Sequence, residues 1–134
     1  MRTVQLLAVS AVLASSAPAL ANFIPEMTFE QKLSQADVAV VAKAEALHGK
    51  QGENGSSATL LVLRTLKGNP SAKIEVWTFS DIAELNPRCC EVGATYMMFL
   101  ERTPKGPFAS VQGYYGIVRI GAPRTRLNEA LSHR

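Results

Sequence analysis

The chain has 134 residues, 47% of them apolar, and a formal net charge of +3 from 14 basic and 11 acidic side chains. Residues 22 to 118 hold nine basic and ten acidic groups, and the excess comes from the four arginines from Arg119 onward, which face only Glu129. A body this close to neutral lacks the basic face that neutralises phosphates, which excludes nucleic-acid binding as the main task.

In chain order, the first 21 residues read as a secretory signal peptide. Arg2 lies beside the amino terminus, a mainly apolar run covers residues 4 to 13, and Ala19 and Ala21 form the small pair that signal peptidase reads. A retained membrane anchor would need roughly 20 predominantly apolar residues, whereas Ser10, Ser15, Ser16 and Pro18 interrupt this one. Cleavage between Ala21 and Asn22 is expected, with delivery to the periplasm or the exterior. It leaves 113 residues, enough for one domain with a continuous core. No later apolar stretch is long enough to span a membrane.

The mature chain opens with EMTFEQKLSQAD. Thr28 followed by Gln31 is a capping box, which predicts a short helix over residues 29 to 35, with Phe29, Leu33 and Ala36 on one face. ADVAVVAKAEAL follows from Val38; its valines argue for a strand buried on both sides, while its alanines leave a helix open. The turn-forming stretch HGKQGENGSS, residues 48 to 57, then joins it in a hairpin to ATLLVLRTL, residues 58 to 66. A Lys67, Gly68, Asn69, Pro70 turn leads to KIEVWTF, residues 73 to 79, in which Ile74, Val76 and Thr78 alternate with Lys73, Glu75, Trp77 and Phe79.

Residues 80 to 92, SDIAELNPRCCEV, form a connection that is long for a compact domain and so reads as either an excursion with a role or a capping segment. A helical turn over residues 81 to 85 is stopped by Asn86 and Pro87. Strands resume over residues 95 to 101, 108 to 112 and 115 to 120, and Leu127 and Leu131 in the tail are spaced for a short carboxyl-terminal helix. The pattern predicts a mainly β domain, a small antiparallel barrel or a sandwich, with Val40, Leu61, Val76, Phe99 and Val118 in its core.

Four stretches share an order and spacing: LSQADVAVVAKAEAL; the strand ending LRTLKG at Gly68; Cys90-x-x-Gly93-x-x-Tyr96 leading into MMFL; and a closing GIVRI. Over residues 33 to 120 the chain thereby resembles the bacterial netrin-like and tissue-inhibitor-of-metalloproteinase-like group. The resemblance implies a five- to six-stranded OB-like barrel over residues 38 to 120, which the capping-box helix precedes as a lead-in over 22 to 37 and the arginine-rich residues 121 to 134 follow as a basic tail. In such a barrel Gly68 makes the turn after the second strand and Gly93 leads tightly into the strand that carries Tyr96. Inhibitory members of the group use a mature amino-terminal cysteine; this chain begins Asn22, Phe23, Ile24, so as an inhibitor it would lack that residue.

Few side chains offer chemistry. A zinc site takes three or four ligands, often in short local pairs. Of His48, Cys89, Cys90 and His133, only the adjacent cysteines are close in sequence. A nucleophilic cysteine would need a base such as His48 in reach, no G-x-S-x-G surrounds a serine, and Asp81, Glu84 and Glu75 read as solvated carboxylates. No metal, cofactor or catalytic residue is expected, and the chain is read as a non-enzyme.

Cys89 and Cys90 are redox or disulfide candidates with two readings. They can bond to each other, although a trans peptide holds adjacent Cα atoms about 3.8 Å apart against roughly 4.4 to 6.8 Å in ordinary disulfides. Otherwise one thiol is buried as a small apolar group and the other faces solvent or a second molecule. Trp77, Phe79, Tyr96 and Phe99 are expected in the core, and Tyr114 and Tyr115, flanked by Gly113 and Gly116 at a strand junction, form either a candidate interaction surface or simply a glycine-kinked strand end. The expected function is that of an exported binding or interaction domain of unknown ligand, for which a protein partner is one candidate. The alternatives are a redox or metal-handling protein centred on Cys89 and Cys90, and an inhibitor-like protein.

Overall fold

The computed structural model describes residues 25–82 and 85–122. The expected signal segment with Ala21 and Asn22, Glu84, and the tail beyond Ala122 with its expected helix and His133 lie outside the described residues.

Helix α1, Phe29–Gln35, begins where the capping box places it. Thr28 Oγ1 accepts a hydrogen bond from the Gln31 amide at 3.2 Å, and Gln31 Oε1 accepts one from the Thr28 amide at 2.8 Å. The helix lies over the outer face of the sheet, where Leu33 and Ala36 join Ala39, Phe99 and Val111 in an outer apolar cluster. Phe29, expected in the same stripe, is 54% exposed and meets Phe99 edge-on at 5.4 Å. Lys32 is 5% exposed, with its ammonium 2.7 Å from Glu26 Oε1 and 5.8 Å from the centre of the Phe99 ring. An opposite charge and a ring face together offset its desolvation.

The strands are β1 (Val38–His48), β2 (Ser57–Lys67), β3 (Lys73–Trp77), β4 (Thr95–Glu101), β5 (Ala109–Ser110) and β6 (Ile117–Gly121). Paired strands are antiparallel, in the order β3-β2-β1-β4, with β5 and β6 both on the far edge of β4. The alanine-rich segment that left a helix open is thus the central strand β1. Val38, Val40, Ala42 and Ala44 point into the inner core, and Ala39 lies beneath α1. Irregularities in the β1–β2 register near Ala39, Val41 and Ala44 bend the pair. At the turn after β2, Gly68 has φ +81°, and a Cβ there would lie 2.6 Å from the Asp37 carbonyl oxygen; only glycine fits.

The sheet curls into a half-barrel. The curl brings Val76 beside Phe108 in a parallel bridge, in which the Phe108 amide donates to Glu75 O at 2.8 Å and the Trp77 amide donates to Phe108 O at 2.9 Å. Inside lie Leu60, Ile74, Val76, Tyr96, Met98, Leu100 and Ile117 together with the inner face of β1.

Val40, Val76 and Phe99 are buried as predicted; two other core positions are not. Leu61 is half-buried on the outer face while Leu60 takes the inner place, and Val118 is 44% exposed while Ile117 is fully buried. Both errors are a slip of one residue, which in a strand exchanges the faces. The slip in β6 has a local cause. Gly113–Tyr115 forms a 3₁₀ turn that takes Tyr115 out of the expected 115–120 strand, so β6 begins only at Ile117 and pairs Val118 with Met97, on the outer face of β4. Regular β5 is likewise shorter than predicted. Among the described residues, no helix is long and apolar enough to cross a membrane.

Candidate functional site

At one end of the half-barrel, three irregular segments enclose an open cleft of about 760 Å³. The β1–β2 loop contributes Asn54 and Gly55, the β4–β5 loop contributes Thr103, Pro104 and Lys105, and the connection after β3 contributes Ser80, Asp81, Leu85 and Pro87. Trp77 and Phe79 form the apolar floor. They were expected in the core and are only half-buried, because the alternation that sends Ile74, Val76 and Thr78 inward turns these two rings outward. Asp81, Glu101 and Lys105 supply charge at the walls. Among the described residues, neither Asp81 nor Lys105 takes part in an ion pair.

Each wall has its own support. Thr78 Oγ1 donates to Gln51 Oε1 at 2.9 Å and shares a 2.9 Å hydrogen bond with the buried Ser56 Oγ, which holds the β1–β2 loop against the end of β3. The connection is folded on itself: the Ser80 amide donates to Asn86 Oδ1 at 2.7 Å and the Leu85 amide to Ile82 O at 2.9 Å. Leu85 rests on Gly113, whose φ is +52° and where any Cβ would collide with the Leu85 backbone. Gln112 also adopts a left-handed conformation, with φ +54°. Its side chain accepts from the Met27 amide at 2.8 Å and donates to Pro25 O at 2.6 Å, tying the lead-in segment to the cleft rim.

The two sequence features left without a structural role meet here. Tyr114 and Tyr115 pack edge to face at 5.2 Å, and the Arg88 guanidinium sits 3.5 Å from the centre of the Tyr114 ring. The tyrosine patch is therefore the buttress of the long connection, and Tyr114 remains 39% exposed.

Cys89 and Cys90 follow Arg88. They are bonded to each other across a cis peptide and pack half-buried against the inner core. Beyond them, the Glu91 amide donates to Tyr96 Oη at 2.7 Å, and the Glu91 carboxylate meets Arg119 at 2.7 Å. The connection is thus pinned on both sides of the disulfide.

The remaining candidates stay apart. His48 bonds Thr59 Oγ1 at 2.7 Å on the exposed hairpin, and Glu75 accepts from Ser57 Oγ at 2.6 Å. Among the described residues, no three His, Cys, Asp or Glu side chains gather where a metal could be held. Sequence reasoning missed Glu101, Lys105 and the Gln51, Ser56 and Thr78 network. Of the last, Gln51 and Ser56 were hidden in a stretch whose composition announced only a turn, and Thr78 was legible only as a strand position. No family model matches the chain, and neither does any curated protein or solved structure.

Proposed function

We propose that this chain is an exported, non-enzymatic binding domain built on an OB-like barrel, with its ligand in the cleft over Trp77 and Phe79. The observation that carries the reading is the cleft itself, in which two aromatic rings sit half-exposed beneath charged walls. Ligand sites combine an apolar floor with a few polar groups that fix orientation, in volumes of roughly 300 to 1,000 Å³. The strand order supports the barrel type. β1, β2 and β3 form a meander, β4 returns to the free side of β1, and the chain leading into β5 meets β3 in parallel. OB barrels bind through the loops after their first and fourth strands, and the corresponding loops here flank the cleft.

Export rests on the leader-like segment ending at Ala21. The netrin-like reading rests on the motifs between residues 33 and 120, and an inhibitor on this scaffold would work without the amino-terminal cysteine. Trp77 is the only tryptophan in the sequence, so its emission reports directly on the cleft. Protein purified from its own compartment and sprayed under native conditions should start at Asn22 and carry an added mass that Trp77→Ala loses, and titration with the released compound should shift the emission of the wild type. A mass spectrum showing Met1 would defeat the export reading. An unloaded protein whose tryptophan responds to no fraction of its own compartment would defeat the binding reading.

A further inference from the structure

The Cys89–Cys90 bond needs a different account from an ordinary structural disulfide. A disulfide stabilises a fold by closing a loop in the unfolded chain, and the effect grows with the number of residues enclosed. Here the loop is two residues long, the least a disulfide can enclose. Its covalent effect is local: it closes an eight-membered ring that contains the Cys89–Cys90 peptide unit and removes free rotation on both sides of it.

The position of that ring gives the restriction a consequence. On its amino-terminal side come Arg88, stacked on Tyr114, and then Pro87 and Leu85, which form one wall of the cleft. On its carboxyl-terminal side, Glu91 is fixed to Tyr96 and Arg119. The ring therefore joins a firmly held anchor to a wall that rests on the barrel through the Arg88 stacking and the Leu85 contact with Gly113. A cation–π contact at a partly exposed site is worth little more than thermal energy, so the covalent ring adds a restriction on the Arg88 side of the wall that the stacking alone does not supply.

We propose that Cys89–Cys90 is a thiol-exchange site through which a dithiol loosens the cleft wall formed by Leu85 and Pro87, an inference that rests on the cleft being the binding site. One thiolate of the dithiol attacks a sulfur of the pair, giving a mixed disulfide and one free cysteine thiolate. The second thiol of the reagent then displaces the other cysteine. The protein gains two protons and two electrons and ends with two thiols, and the dithiol leaves as its own disulfide. Reduction restores the lost rotations and frees Arg88 to leave Tyr114. Both cysteines are half-buried in a segment without regular structure, so the chemistry requires no unfolding of the sheet.

The experiment needs no ligand. The folded, oxidised protein is treated with dithiothreitol, alkylated with iodoacetamide and weighed, while acrylamide quenching of Trp77 and hydrogen exchange are followed in both states. The expected result is two alkylated cysteines in the folded protein, a rise of about twofold in the quenching constant, and faster exchange at residues 85–90 and 113–116 with β1 and β4 unchanged. Changing both Cys89 and Cys90 to Ser should reproduce the raised quenching without reductant and abolish the response to it. Thiols released only on global unfolding, or released with quenching and exchange unaltered, would overturn the proposal. Because acrylamide is the probe, these results stand apart from the binding test: a cleft that takes up no compound fails there, and a wall that ignores the reductant fails here.

Discussion

The two ends of this molecule are held together by different physics. Along β1, β2 and β4 the constraint is burial: Val38, Val40, Leu60, Met98 and Leu100 are fully enclosed, and each such side chain contributes about 1.5 to 3 kcal/mol. No single contact there is irreplaceable, and the register follows from which face is apolar. At the cleft end little is fully buried. The 80–92 connection and the Gly113–Tyr115 turn depend on single geometric facts: a glycine where no Cβ fits, a guanidinium on a ring, a two-residue disulfide. A region built by burial resists change as a whole, whereas one built from singular contacts can change shape while the rest stays folded. Loops that bind or move are drawn from the second kind.

Four tests bear on this contrast, two of them paired with a second substitution for comparison. Val76→Asp should have the largest effect, because an unpaired carboxylate in the inner core costs about 3 to 5 kcal/mol, a large share of a typical total stability. Circular dichroism should show the variant largely unfolded or melting far below wild type; a melt unchanged from wild type would remove β3 from the core.

Gly113→Ala comes next, at about 2 kcal/mol for a strained φ with a methyl group against the Leu85 backbone. Gly52→Ala is its control. That glycine has φ +87° and nothing within 4 Å, so it carries only the conformational cost of about 1 kcal/mol. Urea titrations of both should separate the two contributions, and equal midpoints would mean that Leu85 does not rest on Gly113.

The double change of Cys89 and Cys90 to Ser should cost about 1 kcal/mol, the entropy of a two-residue loop. The melting temperature should then fall by only a few degrees, even as the Trp77 signal changes. A large fall would return the disulfide to a structural role. The smallest effect belongs to Val118→Ser, within about 0.5 kcal/mol because that residue is exposed on the outer face; Ile117→Ser should be severalfold worse.

The same contrast explains what the sequence reveals. Thr28 and Gln31 announce α1 because a capping box is local, and Ile74, Val76 and Thr78 announce the inner face of β3 because alternation is local too. Alternation does not say whether the opposite face is covered. Trp77 and Phe79 therefore look like core residues until the loops around them are known to leave them half-open. The Gly113 contact with Leu85 and the Arg88 stacking on Tyr114 join residues more than twenty positions apart, and no spacing signals them. The turn that ends at Tyr115, where the last strand was expected to begin, is also what displaced Val118 from the core. For Cys89 and Cys90 the distances of a trans peptide argued against a mutual bond, and the structure joins them across a cis one.

Gln112 has a consequence for how the protein is handled in the laboratory. Its left-handed backbone is held by a side chain that grips Pro25 and Met27, and it also lines the cleft. An affinity tag, dye or surface linker attached just ahead of Pro25 would thus adjoin a residue whose carbonyl is bonded to the cleft-lining Gln112. Attachment through an engineered cysteine on the exposed β1–β2 hairpin tip at Gln51 would disturb the Thr78 network; Leu63, exposed on β2, is the better anchorage for immobilisation and labelling.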